Sequence, residues 1–332
     1  MYAILNDLKK IAARRNLPEE KIYLELVNKT IDVLQHESPD IRPQDSSGVS
    51  GGLLTFTENI PTVIVPDLHG RTDFFLNILE YSLFGRKMLL ESLAEGTIRL
   101  LCLGDAFHGE RRAKARWKRA HKSFLQGDIM SSAMIQEMAE NFALMEMIMR
   151  CKCAFPQHMH FLKGNHENIL NEEGEGNHPF LKYAEEGEMV LDFVLRRYGK
   201  PFLQTYAQLE KSFPLCVIGE RFLASHAEPE CFYTKEELIN TRKFPDVILG
   251  LTWTNNGAAA KNAVAKMLAE YLPLVPDAMY FGGHRPVEDQ FSLRAENRFI
   301  QIHNPERQNV AIVPADRRFN PETDIKHIKT GV

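Results

Sequence analysis

The sequence predicts an α/β fold, and three observations carry that prediction. Short apolar runs such as Val63-Ile64-Val65 and Leu100-Leu101-Cys102-Leu103 have the length and character of buried strands. Longer stretches between them repeat apolar residues at helical spacing, as in Leu24, Val27, Ile31 and Leu34. The strand-like runs stop at side chains that bind ligands: Asp67 with His69, Asp105, Asn165 with His166, His226, and His284. In α/β domains ligands gather outside the carboxyl ends of strands.

In chain order, helices are expected at 3–14 and 18–36, the second with Pro18-Glu19-Glu20 as its first turn and Asn16 as its cap. Residues 37–52, rich in Pro, Ser, Asp and Gly, read as a loop. Strands at 53–57 and 62–66 precede an amphipathic helix at 72–84 through Phe74, Phe75, Ile78, Leu79 and Leu83, and a strand at 98–103 follows. A methionine-rich helix at 132–150 reads as core. A strand at 158–163 leads into Gly164-Asn165-His166-Glu167, then a helix at 186–197. Strands at 214–218 and 221–225 form a hairpin about Gly219-Glu220. A helix at 257–271, a strand at 279–282 and strands at 298–303 and 309–313 complete the series, and the polar residues after 316 read as a loosely held tail.

Composition narrows the function classes. A length of 332 residues allows one large domain or two small ones, and 44% hydrophobic with 25% charged residues is ordinary for a globular protein. A net charge of −4 gives no reason to expect general nucleic-acid binding. No apolar run reaches membrane-span length, and the N-terminus lacks a basic flank before an apolar core, so a cytoplasmic location is expected. The five cysteines lack zinc-clip spacing and read as reduced and structural.

The residue types at the strand ends point to metal chemistry. Asp67 and His69, two apart, offer one oxygen and one nitrogen to a single point, and the two oxygens of Asp105 can bridge two cations. Asp, His and Asn without cysteine suit Mn, Fe, Zn or Co. Two such ions form a clamp for in-line displacement at phosphorus. The run Arg111, Arg112, Lys114, Arg116, Lys118, Arg119 and Lys122, with Trp117 inside it, is either a solvated helix face or a positive rim that steers a phosphorylated substrate.

Taken in order, Pro66-Asp67-Leu68-His69-Gly70, Leu103-Gly104-Asp105, Lys163-Gly164-Asn165-His166-Glu167, Ser225-His226-Ala227 and Gly283-His284 resemble the motifs of the calcineurin-like metallophosphoesterases, most closely the phosphoprotein phosphatase branch. The resemblance runs from about residue 20 to 316. It implies two mixed sheets packed face to face with helices outside. The chain is expected to divide into a helical extension over 1–50, a catalytic domain over 51–316 with an atypical insert at 106–134, and a tail over 317–332. The resemblance implies two divalent metal ions, Mn first among the candidates: Asp67 and His69 hold one, Asp105 bridges, and Asn165, His226 and His284 complete the other. His166 is then the acid that protonates the leaving group, and Asn165 also holds a phosphate oxygen.

The chain departs from the pattern after Asp105. An Asp three residues on and an Arg next to it are usual in the family; here Ala106-Phe107-His108-Gly109-Glu110-Arg111-Arg112 stands instead. His108 is either a neutral partner of His166 or a structural loop residue. Arg111, Arg112 and Arg285 are candidates to grip phosphate in place of the absent arginines, and Asn255 or Asn256 replaces a usual Asp. The expected activity is hydrolysis of phosphate monoesters, phosphoserine or phosphothreonine in proteins among them. The alternative is a nucleotide or dinucleoside polyphosphate, with Phe107 or Tyr233 as an aromatic shelf. A third reading is a metal-binding scaffold that recognises phosphorylated partners without turnover. Oligomeric state is not readable from the sequence.

Overall fold

A computed structural model describes residues 2–83, 85 and 87–328. The chain begins with helices α1 (Tyr2–Ala13) and α2 (Glu20–Gln35), then strands β1 (Leu53–Thr55) and β2 (Thr62–Val65). Helix α3 (Thr72–Glu80), a small hairpin of β3 (Ser82–Leu83) and β4 (Lys87–Met88), helix α4 (Leu89–Ala94) and strand β5 (Arg99–Cys102) come next. A 3₁₀ turn at Arg111–Ala113 opens into α5 (Lys114–Phe124), followed by α6 (Ser132–Ala154), β6 (Met159–Phe161) and α7 (Glu186–Ser212). Strands β7 (Cys216–Ile218) and β8 (Phe222–Ser225) precede α8 (Lys235–Ile239), α9 (Pro245–Thr252), α10 (Ala263–Tyr271) and β9 (Met279–Gly282). The chain closes with β10 (Ser292–Arg294), β11 (Phe299–Gln301), β12 (Asn309–Val313), α11 (Pro321–Asp324) and β13 (Ile325–His327).

The strands form two mixed sheets, ordered β1-β7-β8-β9-β11-β10 and β13-β12-β2-β5-β6. Between them Ile64, Leu101, Ala224, Phe281 and Ile300 pack in one apolar layer. The alternate residues of the second sheet, Val63, Val65, Leu100 and Cys102, face a larger core built with α1 to α7. Those of the first sheet, including Leu223, Tyr280 and Phe299, face helices α8 to α10. The result is four layers, helix–sheet–sheet–helix, which is why nearly every strand position is apolar rather than alternating.

Each sheet contains a trio of parallel strands: β2, β5 and β6 in one, β8, β9 and β11 in the other. The residues just past the carboxyl ends of all six converge on one edge of the sandwich, which holds the candidate site.

Several element boundaries differ from expectation. Glu19 rather than Asn16 caps α2, accepting from the backbone N–H groups of Lys21 and Ile22. Helix α3 stops at Glu80 because Tyr81 turns extended into the hairpin. The helix expected over 186–197 continues to Ser212 through a kink at Gly199, whose φ of 83° is left-handed, with Pro201 just beyond. Helix α10 starts at Ala263 rather than 257, after left-handed residues at Gly257 and Asn262. Residues 317–328 are not loose: β13 pairs antiparallel with β12, and Phe319, Ile325 and Ile328 are buried, while the rest of the expected tail, 329–332, lies outside the described residues. All five cysteines are free thiols.

Candidate functional site

The loop after β2 carries Asp67 and His69, the loop after β5 carries Asp105, and the loop after β6 carries Asn165 and His166. From the facing sheet, His226 follows β8, His284 follows β9 and His303 follows β11. The structure therefore brings together the predicted Asp67, His69, Asp105, Asn165, His166, His226 and His284, and adds His303. Among the described residues, three groups have the spacing to hold a cation: Asp67–His69–His303, His69–Asp105–His166 and Asp67–Asp105–His226.

The loops are held in sparsely populated conformations. His69, Asp105 and His284 have φ of 44°, 54° and 62°, a left-handed region that non-glycine residues enter at a cost. Hydrogen bonds hold them there. The Glu167 carboxylate accepts from the N–H groups of Asp105 (2.9 Å), Ala106 (2.8 Å) and Gly164 (2.7 Å), and the Asp105 carbonyl accepts from the N–H of His69 at 2.7 Å.

Hydrogen bonds also fix the direction of two imidazoles. His69 donates Nδ1–H to the Phe107 carbonyl at 3.0 Å, and His226 donates Nδ1–H to the Leu103 carbonyl at 2.9 Å. A carbonyl only accepts, so in each neutral ring the Nε2 lone pair points into the site. The Nε2 of His226 then lies 2.9 Å from Asn165 Oδ1 and 3.5 Å from Asp105 Oδ2. That of His69 lies 3.8 Å from Asp67 Oδ2, 3.6 Å from Asp105 Oδ2 and 3.7 Å from Glu110 Oε1. His284 presents Nδ1 to Asn165 Oδ1 at 2.9 Å. The His69 and His226 lone pairs face oxygen lone pairs, and in a buried site such pairs repel unless a proton or cation stands between them. Two ligand atoms roughly 2.1 Å from one ion are about 3.0–3.7 Å apart at ordinary coordination angles. The donor set and its spacings fit divalent cations.

The charges tell the same story. Burial, with the Asp67 and Glu167 carboxylates nearby, pushes the Asp105 carboxyl far above its usual range. Burial depresses His69 to about 4 although Glu110 and Asp67 oppose it. Asp67 Oδ2 has no hydrogen-bond partner at all. A positive ion would relieve the crowding at Asp105 and partner Asp67 Oδ2, and the neutral form in which burial holds His69 is the one that binds a cation.

His166 differs from its neighbours in being the more accessible, its side chain 15% exposed, with Nε2 3.8 Å from Asp105 Oδ2. Burial, and then the adjacent imidazoles of His108, His69 and His226, hold it well below the usual histidine range. His108 is stacked on Trp117 (centroids 5.1 Å, 12° between planes) and meets the ring of Phe180 edge-on. Its ring lies 4.8 Å from that of His166, yet neither His108 Nε2 nor His166 Nδ1 has a hydrogen-bond partner. The residue in the place of the usual Asp thus touches His166 by packing.

The arginine candidates separate. Arg111 is exposed and pairs at the surface with Glu306 at 3.7 Å. Arg112 donates to the His69 carbonyl at 3.0 Å and to Glu140 at 2.8 Å. Arg285, beside His284, donates to Asn255. The basic run divides: Arg116 and Trp117 are buried, Arg116 bonding Glu137 and Glu140, while Lys118, Arg119 and Lys122 are exposed. Phe107 and Tyr233 are both buried in apolar clusters, so neither is an aromatic shelf. Trp253 is partly exposed, its ring 6.3 Å from that of His284.

His303 and Glu110 escaped the sequence reading. The strand expected at 298–303 ends on His303, the same placement that marked the other ligands, but no motif surrounds it. Glu110 lies inside the atypical insert, where only the fold shows which way it faces.

No protein-family model matches the chain, and no curated protein sequence matches it. Among solved structures it is similar to a protein serine/threonine phosphatase from Saccharomyces cerevisiae with similarity to human phosphatase PP5, at a TM-score of 0.56 and 14% identity, covering 93% of this chain and 89% of that one. It is also similar to a cold-active protein-tyrosine phosphatase of a psychrophile, Shewanella sp., at a TM-score of 0.47 and 14% identity, covering 90% and 84%. Among the described residues no helix is long and apolar enough to cross a membrane. At such identity the likeness is one of fold, and the chain has the metallophosphoesterase fold, two mixed sheets flanked by helices, that its motifs imply.

Proposed function

We propose that this protein is a two-metal phosphoesterase that hydrolyses phosphate monoesters. The observation that carries the reading is the convergence of Asp67, His69 and His303 on one side of Asp105 and Asn165, His226 and His284 on the other, with the His69 and His226 lone pairs turned inward. Two divalent cations so held would supply charge neutralisation at the phosphoryl oxygens and would acidify a water for attack at neutral pH.

The chain's own residues do the rest. Asp105 would serve both sets, since its Oδ2 lies 3.6 Å from His69 Nε2 and 3.5 Å from His226 Nε2. Its Oδ1 accepts the His166 N–H at 3.0 Å, which ties the acid's backbone to the same carboxylate. His166 faces the opening and gives its proton to the leaving oxygen. An arriving phosphate dianion works against the depression of its pKa, so the ring takes up its proton together with the substrate. His108, neutral and clamped between Trp117 and Phe180, keeps the His166 ring upright by packing. Arg112 and Arg285 flank the cluster and supply positive potential at its rim.

Trp253 favours a second reading. A partly exposed indole beside His284 can stack on a base, which makes a nucleotide or dinucleoside polyphosphate the alternative substrate. A panel of 4-nitrophenyl phosphate, a phosphoserine peptide and a dinucleoside tetraphosphate, assayed with Mn in wild type and Trp253→Ala, tests both. Monoester turnover unchanged by Trp253→Ala supports the first reading. Turnover of the dinucleotide alone, lost in Trp253→Ala, replaces it with the second. Folded, metal-loaded protein with no turnover leaves a phosphate-recognising scaffold.

A further inference from the structure

We propose that Glu110 is a ligand of the Asp67 half of the site, and that it makes this half the harder of two unlike cation sites. The inference rests on the reading of the cluster as a metal centre and adds a carboxylate that the motif pattern does not supply.

Glu110 is buried, with 5% of its surface exposed. Its Oε2 accepts from Arg71 Nη2 at 2.8 Å. Arg71 is itself buried and bonded to the Leu68 carbonyl, so the carboxylate cannot swing away. That leaves Oε1 turned inward, 3.1 Å from His303 Nε2 and 3.7 Å from His69 Nε2. Asp67 approaches the same two nitrogens from another side. Its Oδ2 lies 3.8 Å from each and is buried with no hydrogen-bond partner, while its Oδ1 accepts the His284 N–H at 3.1 Å. Two carboxylate oxygens thus face two imidazole nitrogens, and one nitrogen, that of His69, is fixed as a lone pair by its bond to Phe107. The separations, 3.1 to 3.8 Å, are near the edges of a coordination polyhedron, roughly 3.0–3.7 Å for ligands about 2.1 Å from an ion.

With Glu110 included, the two halves differ in kind. The first has three carboxylates, Asp67, Asp105 and Glu110, with His69 and His303. The second has the shared Asp105 as its one anionic ligand, with neutral Asn165, His226 and His284. Carboxylate-rich sites suit Mn and Mg, and imidazole-rich sites suit Zn. The first half should prefer Mn and the second Zn. The rival account is a Glu110–His303 ion pair that braces the loops and never meets a metal.

The test is calorimetric titration of metal-stripped, full-length protein with Mn and separately with Zn, in wild type, Glu110→Gln and Glu110→Asp, with thermal unfolding in chelator as the control for folding. Wild type should bind two ions, with one site tighter for Mn. Glu110→Gln should weaken that Mn site at least about tenfold and leave the other site unchanged. Glu110→Asp, which keeps the charge and shortens the reach, should weaken it as well if Glu110→Gln proves too unstable to purify. Wild-type Mn affinity at both sites in either folded variant, with only the melting temperature lowered, would assign Glu110 to the ion pair and overturn the proposal. A folded wild type that binds neither ion would overturn the metal-centre reading itself, before any variant is considered.

Discussion

The chemistry proposed for single side chains makes separable demands. Asp105 is shared by both ligand sets, so Asp105→Asn should lose divalent-ion binding and turnover together. His166 acts after the metals, so His166→Asn should retain the ions yet lose about 10²–10⁴ in kcat on an alkyl phosphate, whose leaving oxygen needs a proton. An aryl phosphate, with a good leaving group, should suffer far less. Equal losses on both substrates, measured side by side, would remove His166 from the acid role. Gly283 has a packing reason to lack a side chain, since an added methyl would overlap Asp67 Oδ1. Gly283→Ala should therefore displace Asp67 and reduce the ions bound per chain while sparing His226 and Asn165. Most of the site is legible at this scale because each ligand sits where an apolar run ends, a pattern visible without coordinates. His303 ends a run too, but lacks a motif to draw attention to it. Glu110 is different: its orientation comes from Arg71, 39 residues earlier, and such a partnership is a product of tertiary structure alone.

Between elements, a buried ionic knot ties the first helices to the sandwich. Glu37, just past α2, accepts from Lys152 of α6 at 2.5 Å and from Arg42 at 3.0 Å, and Arg42 also donates to the carbonyls of Gly51 and Ser212, each at 2.7 Å. Burial alone would raise the Glu37 carboxyl; Lys152, His160 and Arg42 more than reverse that and hold it below its usual range. Replacing Glu37 by Gln leaves two buried cations without a counter-charge and should destabilise by about 3–5 kcal/mol at neutral pH. The sign of the pH dependence follows from linkage. A carboxylate with a lowered folded pKa contributes fully above its unfolded value of about 4.5 and progressively less as the pH falls below it. The gap between wild type and Glu37→Gln in urea unfolding should therefore shrink under acid, and a gap that stays constant from pH 7 to pH 3 would contradict this account. Periodicity shows the longer helices and the strands that carry the site, whereas element ends and short elements such as β3, β4, α4, α8 and α9 are not legible in it. The sequence predicts a helix over 186–197, yet burial of Phe202, Leu203 and Tyr206 carries α7 on through the kink at Gly199.

For the molecule as a whole, the proposed function needs two sheets closing on one edge, because three parallel strands from each deliver the candidate ligands. Composition and periodicity gave only the alternation of strands and helices; the pairing of two sheets came through the motif resemblance, since no local pattern encodes which strands are neighbours. The polarity of the last residues hid β13, which seals the free edge of β12 with Ile325 while Phe319 and Ile328 insert into the cores. At about 1.5–3 kcal/mol for each large apolar side chain buried, truncation after Asp316 should cost several kcal/mol, seen as a lower melting temperature with a stronger tendency to associate through the exposed strand. Bound cations should add to stability, by about 2.7 kcal/mol when free metal is a hundred times its Kd, so chelation should lower the melting temperature of wild type and have little effect on Asp105→Asn.

The most direct measurement is hydrolysis of an aryl phosphate by metal-stripped protein as Mn is added in counted equivalents, with Asp105→Asn alongside. Turnover that rises to a plateau at two equivalents per chain, and is absent from the folded variant at every ratio, is the expected result. Folded wild-type protein that takes up two equivalents without turning over any phosphate ester, or that hydrolyses equally well with no divalent ion bound, would contradict the two-metal phosphoesterase.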